Sequence, residues 1–363
     1  MKLQVTQENL NKALNSVARV ASARGTLPIL ANVLVKTSKN RLSISATNLD
    51  IAITHYIGAK VSDEGSITVP ARLMQDFVSS LPEGVIELEL DETKLHVRTD
   101  QYKSVVNGIV ADDFPVMPAL GDGKEWEVDA SVFKKALQQV VFAASSDETR
   151  PVLTGVLLSV IDGELYMVAT DSYRLAEKKV GSVETDVQLL IPSSSMQDLL
   201  RVLSDDVTKI KVKYDEQQVL FKLDEIELVT RQVDGKYPDY KKLIPTKFDI
   251  TAVLKKSDLS NVTKVSSLFA RESAGSVTIE LNEEKQELSI RSIASQLGEN
   301  TSVAKAKVKG SGSITLNSRY LLDGLNVINA DEVEFGFNGK LEPTMLSEAK
   351  NKEYRHIIMP LKS

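Results

Sequence analysis

Hydrophobic and polar positions near the start of the chain follow two different periods. Leu10, Leu14, Val17 and Ala21 are spaced three or four residues apart, which places them on one face of an α-helix. Beyond Leu27-Pro28 every second residue tends to be apolar, the pattern of strands with one buried face. This part of the chain is therefore predicted to fold as a helix followed by strands.

The same pattern returns twice more, about 122 residues further along each time. Equivalent positions in the first helix of each copy are Leu14, Val17 and Ala21, then Leu137, Val140 and Ala144, then Leu259, Val262 and Ser266. Equivalent positions in a second helix are Met74, Val78 and Leu81, then Met196, Leu200 and Leu203, then Leu321, Leu325 and Ile328. The strand stretches LSISAT, LYMVAT and LSIRSI begin at Leu42, Leu165 and Leu288. Matches of helices and strands at one period predict a threefold internal repeat.

Each copy is predicted as a strand, a helix, several strands, a second helix and further strands. This order gives an α+β fold in which two helices per copy pack on mostly antiparallel sheets. The second helix is expected to begin after Pro70 and Pro192, and in the third copy after Asn317, which suits an N-cap. The joints at DDFPVMP and DGKYPDYKKLIP then divide the chain into three domains, 1–122, 123–245 and 246–363.

Composition excludes several classes of protein. The 363 residues are 42% hydrophobic and 26% charged, which is typical of a folded globular chain. Cysteine is absent, so disulfides, thiolate zinc sites, iron–sulfur clusters and a cysteine nucleophile are excluded. No stretch of 18 apolar residues occurs and the first residues are polar, so we expect a cytoplasmic protein without membrane contact.

The chain also lacks the usual signatures of enzymes. No phosphate-binding glycine loop or nucleophile elbow is present, and the KGSGS run at Lys309 is better explained as a turn. His55, His96 and His356 are isolated in sequence, which favours surface or strand positions over metal ligation. We therefore expect no catalytic site, no cofactor and no metal.

The charge distribution at first argues against DNA binding. The 44 Lys and Arg residues face 50 Asp and Glu residues, a net charge of −6. Basic residues nevertheless exceed acidic ones in the predicted first helices at 6–24, 129–146 and 255–271. If the copies pack side by side, these helices would line one basic surface. Ordinary solvated helix faces would explain the same bias, so the charge pattern alone leaves both interpretations open.

Six motifs in order identify a known family. They are RGTLPILANVLV from Arg24, VPAR from Val69, DDFP from Asp112, VATDSYRLA from Val168, VDGKYPDY from Val233 and IMPLKS from Ile358. Over its whole length the chain resembles the bacterial DNA polymerase III β subunits, the replicative sliding clamps. The resemblance implies a DNA clamp fold and a head-to-tail homodimer that closes a ring of six domains. Such a ring encircles double-stranded DNA regardless of sequence and tethers DNA polymerase III for processive synthesis.

The resemblance also implies contact residues. Those expected to contact DNA are Arg24, Arg72 and Arg150, with Lys12 and Lys264 as further candidates. The polymerase catalytic subunit, the clamp loader and repair factors would bind by a short peptide in a pocket formed by Leu153, Thr170, Ser172, Tyr173, Arg174, Leu175, Pro238, Lys242, Leu243, Leu341, Pro343, Ile358, Met359, Pro360 and Leu361. At the dimer contact, apolar residues Leu268 and Phe269 would face a strand near Ser104 and Val106.

Three alternatives stay open on the sequence. The apolar chain end could merely complete the last sheet instead of forming a pocket. The repeats could build an interaction scaffold that is not a ring. A carboxylate-dependent hydrolase could use Asp171 beside Arg174, although no base or metal cluster accompanies them.

Overall fold

The computed structural model describes residues 1–21, 27–115, 120–121, 123–294 and 298–361. Within these residues the chain forms six α-helices: α1 (Gln7–Val17), α2 (Ala71–Ser80), α3 (Ala130–Val140), α4 (Ser193–Val202), α5 (Lys256–Phe269) and α6 (Ser318–Val327). The described chain divides into two compact units, residues 1–131 with 197–232 and residues 132–196 with 233–363.

The first unit contains two antiparallel sheets. The five-stranded sheet has the order β5 (Lys60–Asp63), β1 (Lys2–Thr6), β7 (Val85–Asp91), β8 (Lys94–Arg98), β9 (Lys103–Asn107). The eight-stranded sheet has the order β10 (Lys124–Asp129), β15 (Lys209–Tyr214), β16 (Gln218–Leu223), β17 (Ile226–Arg231), β4 (Ile51–Gly58), β3 (Arg41–Thr47), β2 (Asn32–Ser38), β6 (Ser66–Pro70). Strands from the first and second repeats therefore share one sheet, joined where β17 pairs with β4.

The second unit also contains two antiparallel sheets. The nine-stranded sheet has the order β14 (Gln188–Pro192), β11 (Gly155–Ile161), β12 (Glu164–Thr170), β13 (Arg174–Ser182), β26 (Tyr354–Ile358), β25 (Thr344–Glu348), β24 (Glu332–Phe337), β18 (Ile250–Lys255), β22 (Lys307–Lys309). The four-stranded sheet has the order β21 (Gly298–Lys305), β20 (Glu287–Ala294), β19 (Ser276–Asn282), β23 (Gly312–Asn317). Here β13 of the second repeat pairs with β26 of the third.

The predicted element order is confirmed. In each repeat one strand precedes the first helix, several strands separate the two helices, and three strands follow the second helix. The stretches beginning at Leu42, Leu165 and Leu288 form β3, β12 and β20. The domain boundaries after residues 122 and 245 stay a prediction, since the sheets take strands from neighbouring repeats.

The helix starts were predicted correctly, whereas two helix ends were not. Helices α2 and α4 begin directly after Pro70 and Pro192, and the Asn317 side chain caps α6 by accepting the backbone N–H of Arg319 at 2.9 Å. Ala21 and Ala144 lie beyond the ends of α1 and α3, so the predicted helical stripe is one turn too long there.

In α4 the buried face includes a different leucine from the one predicted. Leu199 is fully buried in the protein core, whereas Leu200 is half-buried. Spacings of three and four residues both keep side chains on one helix face, so adjacent leucines cannot be assigned from spacing alone.

The apolar faces predicted from the periodicity are buried where the helices pack on the sheets. Leu10, Leu14 and Val17 on α1 are fully buried, and α1 packs on β3 and β4. On β3 the alternate residues Leu42 and Ile44 are also fully buried. Each such side chain stabilises the fold by roughly 1.5–3 kcal/mol relative to exposure. None of the described helices is long and apolar enough to span a membrane.

Candidate partner pocket and DNA-contact residues

The last strand of the chain lies inside the nine-stranded sheet, between β13 and β25. Ile358 pairs with Arg174 on one side and Thr344 on the other, and the Thr344 hydroxyl donates to the Ile358 carbonyl at 3.0 Å. Beyond β26, Met359 N–H donates to the Tyr173 carbonyl at 2.8 Å. The chain end therefore both completes a sheet and extends past it along the β12–β13 loop.

All residues predicted for the peptide pocket lie in the second unit. Those that are buried are Leu153, Thr170, Leu175 and Ile358. Those that are half-buried are Arg174, Pro343, Met359, Pro360 and Leu361. Those that are exposed are Ser172, Tyr173, Pro238, Lys242, Leu243 and Leu341. Tyr173 and Leu341 expose 58% and 68% of their surface, so large apolar groups remain available to a partner beside a buried floor.

Leu175 anchors this floor in a hydrophobic cluster of the second unit. The cluster joins Leu175 of β13 to Ile357 of β26 and to Tyr237 and Tyr240 of the segment that connects the second and third repeats. The structure thus brings together three of the chain segments from which the pocket was predicted.

The loop between β12 and β13 is held rigidly by its own hydrogen bonds. Asp171 Oδ1 accepts the backbone N–H groups of Tyr173 and Arg174, each at 2.9 Å. The Thr170 hydroxyl accepts the Ser172 N–H at 3.2 Å and donates to the Arg174 carbonyl at 2.6 Å. Ser172 has φ of 80°, a left-handed conformation that is strained for a residue with a side chain. These contacts fix the backbone of the loop that carries the exposed Tyr173.

Arg174 fastens this loop to its surroundings. Its guanidinium pairs with Asp171 Oδ2 at 3.1 Å and with Asp323 of α6, and it donates to the Phe142 carbonyl at 2.9 Å. It also lies over the rings of Tyr320 and Phe142. The side chain is only 12% exposed. Arg174 was predicted to line the pocket, but its guanidinium is occupied by the protein itself.

The same geometry argues against the hydrolase alternative. Both carboxylate oxygens of Asp171 accept hydrogen bonds, Oδ1 from two backbone N–H groups and Oδ2 from Arg174. A carboxylate held in this way is a turn-stabilising group, and the nearby Asp323 carboxylate is likewise paired with Arg174. Among the described residues, no three His, Asp or Glu side chains gather as metal ligands would.

The residues predicted to contact DNA are divided between the two units. Lys12 on α1 and Arg72 on α2 are exposed on the first unit, where the Gln75 amide joins the two helices by donating to Asn15 at 2.7 Å. Lys12 lies 3.7 Å from Asp206. Lys264 is exposed on α5 of the second unit. Arg24 falls outside the described residues.

Arg150 lies beside the loop predicted to bind peptides. Its Nε pairs with Asp147 Oδ2 at 2.8 Å, and its Nη1 donates to the Ser172 hydroxyl at 3.0 Å. Hydrogen bonds from Thr149 and then from Arg150 lower the pKa of Asp147. Arg150 was predicted to contact DNA, and the structure shows it supporting the β12–β13 loop.

The helices carry less net positive charge than the predicted ranges 6–24, 129–146 and 255–271 indicated. Glu8 balances Lys12 within α1, and Arg19 lies beyond the end of that helix. Only α3, with Lys134 and Lys135, and α5, with Lys256 and Lys264 against Asp258, keep a positive surplus. The predicted helix ranges were too long because a periodic pattern does not mark the residue at which a helix ends.

Sequence reasoning did not single out one basic cavity of the first unit. This cavity of about 240 Å³ is lined by Asn15, Ser16, Arg19, Val20, Asp198, Arg201 and Val202. Arg201 pairs with Asp198. Burial raises the pKa of Asp198, and Arg201 and Arg19 oppose that rise. The Asp198–Arg201 spacing was visible in the sequence, but the approach of Arg19 required the tertiary structure.

The residues predicted for the dimer contact are placed unequally. Leu268 on α5 is 52% exposed and Phe269 and Ser104 are half-buried, but Val106 is buried and cannot offer its side chain to a partner. The neighbouring Val105 is 53% exposed instead. Side chains alternate along β9, so an assignment off by one residue selects the wrong face.

All three histidines lie on strands, one of the two kinds of position expected for them, and His55 and His356 are buried there. His55 on β4 contacts the Ser16 hydroxyl through Nδ1 at 2.8 Å, and burial followed by the charge of Lys12 lowers its pKa to about 4. His356 on β26 donates from Nε2 to the Tyr320 carbonyl at 2.9 Å, and burial lowers its pKa to about 4. Both act as packed polar residues.

The repeated helix pairs and the antiparallel sheets shared between repeats define a three-domain clamp fold. Family models of the DNA polymerase III beta subunit match in order: the N-terminal domain at residues 1–118, the central domain at 127–239 and the C-terminal domain at 241–362. The chain belongs to the beta sliding clamp family, the non-catalytic processivity factors of DNA polymerase III in DNA replication.

Individual relatives match from end to end. The beta sliding clamp of Synechococcus elongatus is 31% identical over 375 residues, covering 99% of each chain. That of Synechocystis sp. is 30% identical over 388 residues, covering 100% of this chain and 99% of its own. The crystal structure of the Pseudomonas aeruginosa clamp bound to griselimycin superposes with a TM-score of 0.95 at 27% identity, covering all of both chains. Membership of this family excludes the hydrolase hypothesis.

Proposed function

We propose that two copies of this chain associate head to tail into a closed ring that encircles duplex DNA. The observation that carries this proposal is that β9 of the first unit and β21 of the second are edge strands of two different sheets, each with an exposed apolar side chain on or beside it. Exposed Val105 lies on β9, and exposed Leu268 lies on α5, which packs against β21. An edge strand readily pairs with a strand of another chain. Contacts between unlike surfaces close a ring when the rotation permits.

The ring would hold DNA by topology, so strong phosphate binding is not required. Weak contacts from exposed Lys and Arg let a protein move along DNA without reading bases. Arg24, Arg72, Lys12 and Lys264 are the candidates for these contacts. The net charge of −6 disfavours duplex DNA elsewhere on the protein.

Partners would bind through a short peptide seated beside Tyr173, Leu243, Leu341 and Met359. Buried Leu175 and Ile358 support this surface from below. The expected partners are the DNA polymerase III catalytic subunit, the clamp loader and repair factors. Arg150 is assigned here to the support of the β12–β13 loop, with DNA contact as a second role to be tested. The three domains are proposed to end at residues 122, 245 and 363.

Retention on circular DNA tests the ring. Protein placed on a nicked circular duplex by its clamp loader should remain through gel filtration, and one double-strand cut should release it by sliding off the end. Equal retention on cut and uncut circles would contradict encirclement. Direct binding to a short linear duplex should be weak, and log K should fall with log salt by about 0.9 per phosphate contact.

A further inference from the structure

A second groove lies in the second unit, next to the segment that connects the second and third repeats. It has a volume of about 540 Å³ and runs between residues 244–248 and one face of β24, β25 and β26. Ile244, Phe248 and Met345 supply an apolar wall. Ile244 and Met345 are partly buried against the hydrophobic cluster around Ile357, so this wall is firmly backed. We call this site the linker groove.

Two cations of the linker groove share one carboxylate. Glu177 is 1% exposed and accepts from Lys241 Nζ at 2.5 Å and from Arg355 Nη1 at 3.3 Å. Lys241 also lies 4.0 Å from the centre of the Tyr166 ring. One buried carboxylate neutralises one of these two charges, and both cations remain about one-third exposed. The groove therefore presents positive charge that the protein does not balance there.

Of the remaining charges that line the linker groove, one lysine adds to this surplus. Lys352 pairs with Glu334 at 2.6 Å, which balances both. Lys247 is exposed and makes no ion pair with any described residue. The lining thus holds four cations against one carboxylate, that of Glu334, while the buried Glu177 supplies a second from behind Lys241 and Arg355. Concentrated positive charge on an acidic protein attracts an acidic ligand.

We propose that the linker groove binds an acidic peptide segment of a protein partner, with one apolar side chain placed between its carboxylates. The carboxylates would pair with Lys241, Lys247 and Arg355, and the apolar side chain would pack against Phe248 and Met345. The apolar wall favours a peptide over nucleic acid, since a peptide can project an aliphatic side chain from between its charged groups. This site is separate from the proposed peptide pocket, whose rim is formed by other residues.

A methyl NMR titration of the full-length protein tests the proposal at a single residue. The probe is the peptide Glu-Asp-Ile-Glu-Asp, and the protein carries ¹³C-methyl methionine, with Met345 and Met359 assigned by substitution with leucine. We expect the Met345 resonance to shift while the Met359 resonance stays in place. The peptides Gln-Asn-Ile-Gln-Asn and Glu-Asp-Ser-Glu-Asp should each shift Met345 less at equal concentration.

Two matched charge-reversal variants test whether the positive charge of the linker groove contributes to binding of the probe peptide. Lys247→Glu removes an exposed lysine of the groove and should weaken binding of the probe peptide about fivefold at low salt. Lys285→Glu makes the same change on an exposed lysine in the β19–β20 turn of the same unit and should leave affinity unchanged. Equal losses in the two variants would overturn the proposal.

Three other results would also overturn it. They are no Met345 shift at millimolar probe, equal shifts by the uncharged peptide, and an equal shift by a short single-stranded oligonucleotide. A shift of Met359 alone would place the probe in the proposed peptide pocket and refute the groove. Failure of the proposed pocket is seen separately, because a polymerase-tail peptide would then leave Met359 unchanged.

Discussion

The backbone N–H of Met359 donates to the carbonyl of Tyr173 at 2.8 Å and joins the end of the third repeat to a loop of the second. This bond continues the β13–β26 pairing by one residue beyond Ile358. It holds the backbone of Met359 beside the backbone of the exposed residue Tyr173. The third repeat therefore places a residue next to the β12–β13 loop of the second.

Removing residues 359–363 should abolish binding of a polymerase-tail peptide, because the apolar wall beside Tyr173 is removed. Loss of one such anchor typically weakens binding by 2 kcal/mol or more, about thirtyfold. The deletion also removes the Met359–Tyr173 bond and the bond from Leu361 N–H to the Thr315 carbonyl. Met359→Ala keeps the backbone bond and is the cleaner change, with Leu73→Ala on α2 as its control. Fluorescence anisotropy showing binding within threefold of the unchanged protein would contradict the pocket assignment.

Charged residues at the two proposed edges should convert the dimer into a folded monomer. Val105→Asp and the double change Leu268→Asp with Phe269→Asp alter exposed or half-buried positions, so folding should persist while sedimentation reports half the mass. Val106→Asp should instead unfold the protein, since that side chain is buried. An unchanged mass for both edge variants would refute the interface.

The basic cavity beside Asp198 should contribute to weak DNA contact. Replacing Arg19 and Arg201 with glutamine should reduce the slope of log K against log salt for a linear duplex by about 0.9 for each phosphate that is no longer neutralised. Arg291→Gln, which changes an exposed arginine paired with Glu299 in the second unit, is the matched control. A salt slope equal to that of the unchanged protein would show that the cavity does not meet DNA.

Arg174→Lys should destabilise the second unit by about 3 kcal/mol. A lysine cannot reproduce the planar set of bonds to Asp171, Asp323 and the Phe142 carbonyl, and it would leave charge unpaired in a mostly buried site. Arg291→Lys at an exposed ion pair should change stability by less than about 1 kcal/mol. Thermal unfolding compares the two variants, and equal melting shifts would contradict the structural role of Arg174.

Stability should decrease as pH falls from about 6.5 toward 4. The pKa of His55 is about 4 when folded and about 6.5 when unfolded, so the unfolded chain binds more protons between these values. Near pH 5 this costs about 2 kcal/mol for one histidine. His55→Gln keeps a polar partner for Ser16 and should lose stability less steeply between pH 7 and 5. Identical pH dependence of the melting temperature would show that His55 does not contribute.

The order and type of elements followed from the sequence alone. Period and capping are local properties, so the strand–helix repeats, the starts after Pro70 and Pro192 and the Asn317 cap could be predicted. The helix ends, the burial of Leu199 instead of Leu200 and the outward face of β9 could not be predicted. Neighbouring apolar residues compete for burial, and only packing decides between them.

Long-range relationships were decided by the tertiary structure. Arg174 was assigned to a ligand surface, yet α6 and the Phe142 carbonyl, distant in sequence, occupy its guanidinium. Arg355 meets Glu177 because β13 pairs with β26, and Lys241 reaches the same carboxylate from the segment that connects the second and third repeats. The sequence determined the repeats, the family and the local elements, since these depend on residues close in the chain. The fold alone determined which charges are satisfied internally and which remain for partners, because that depends on strands pairing across the repeats.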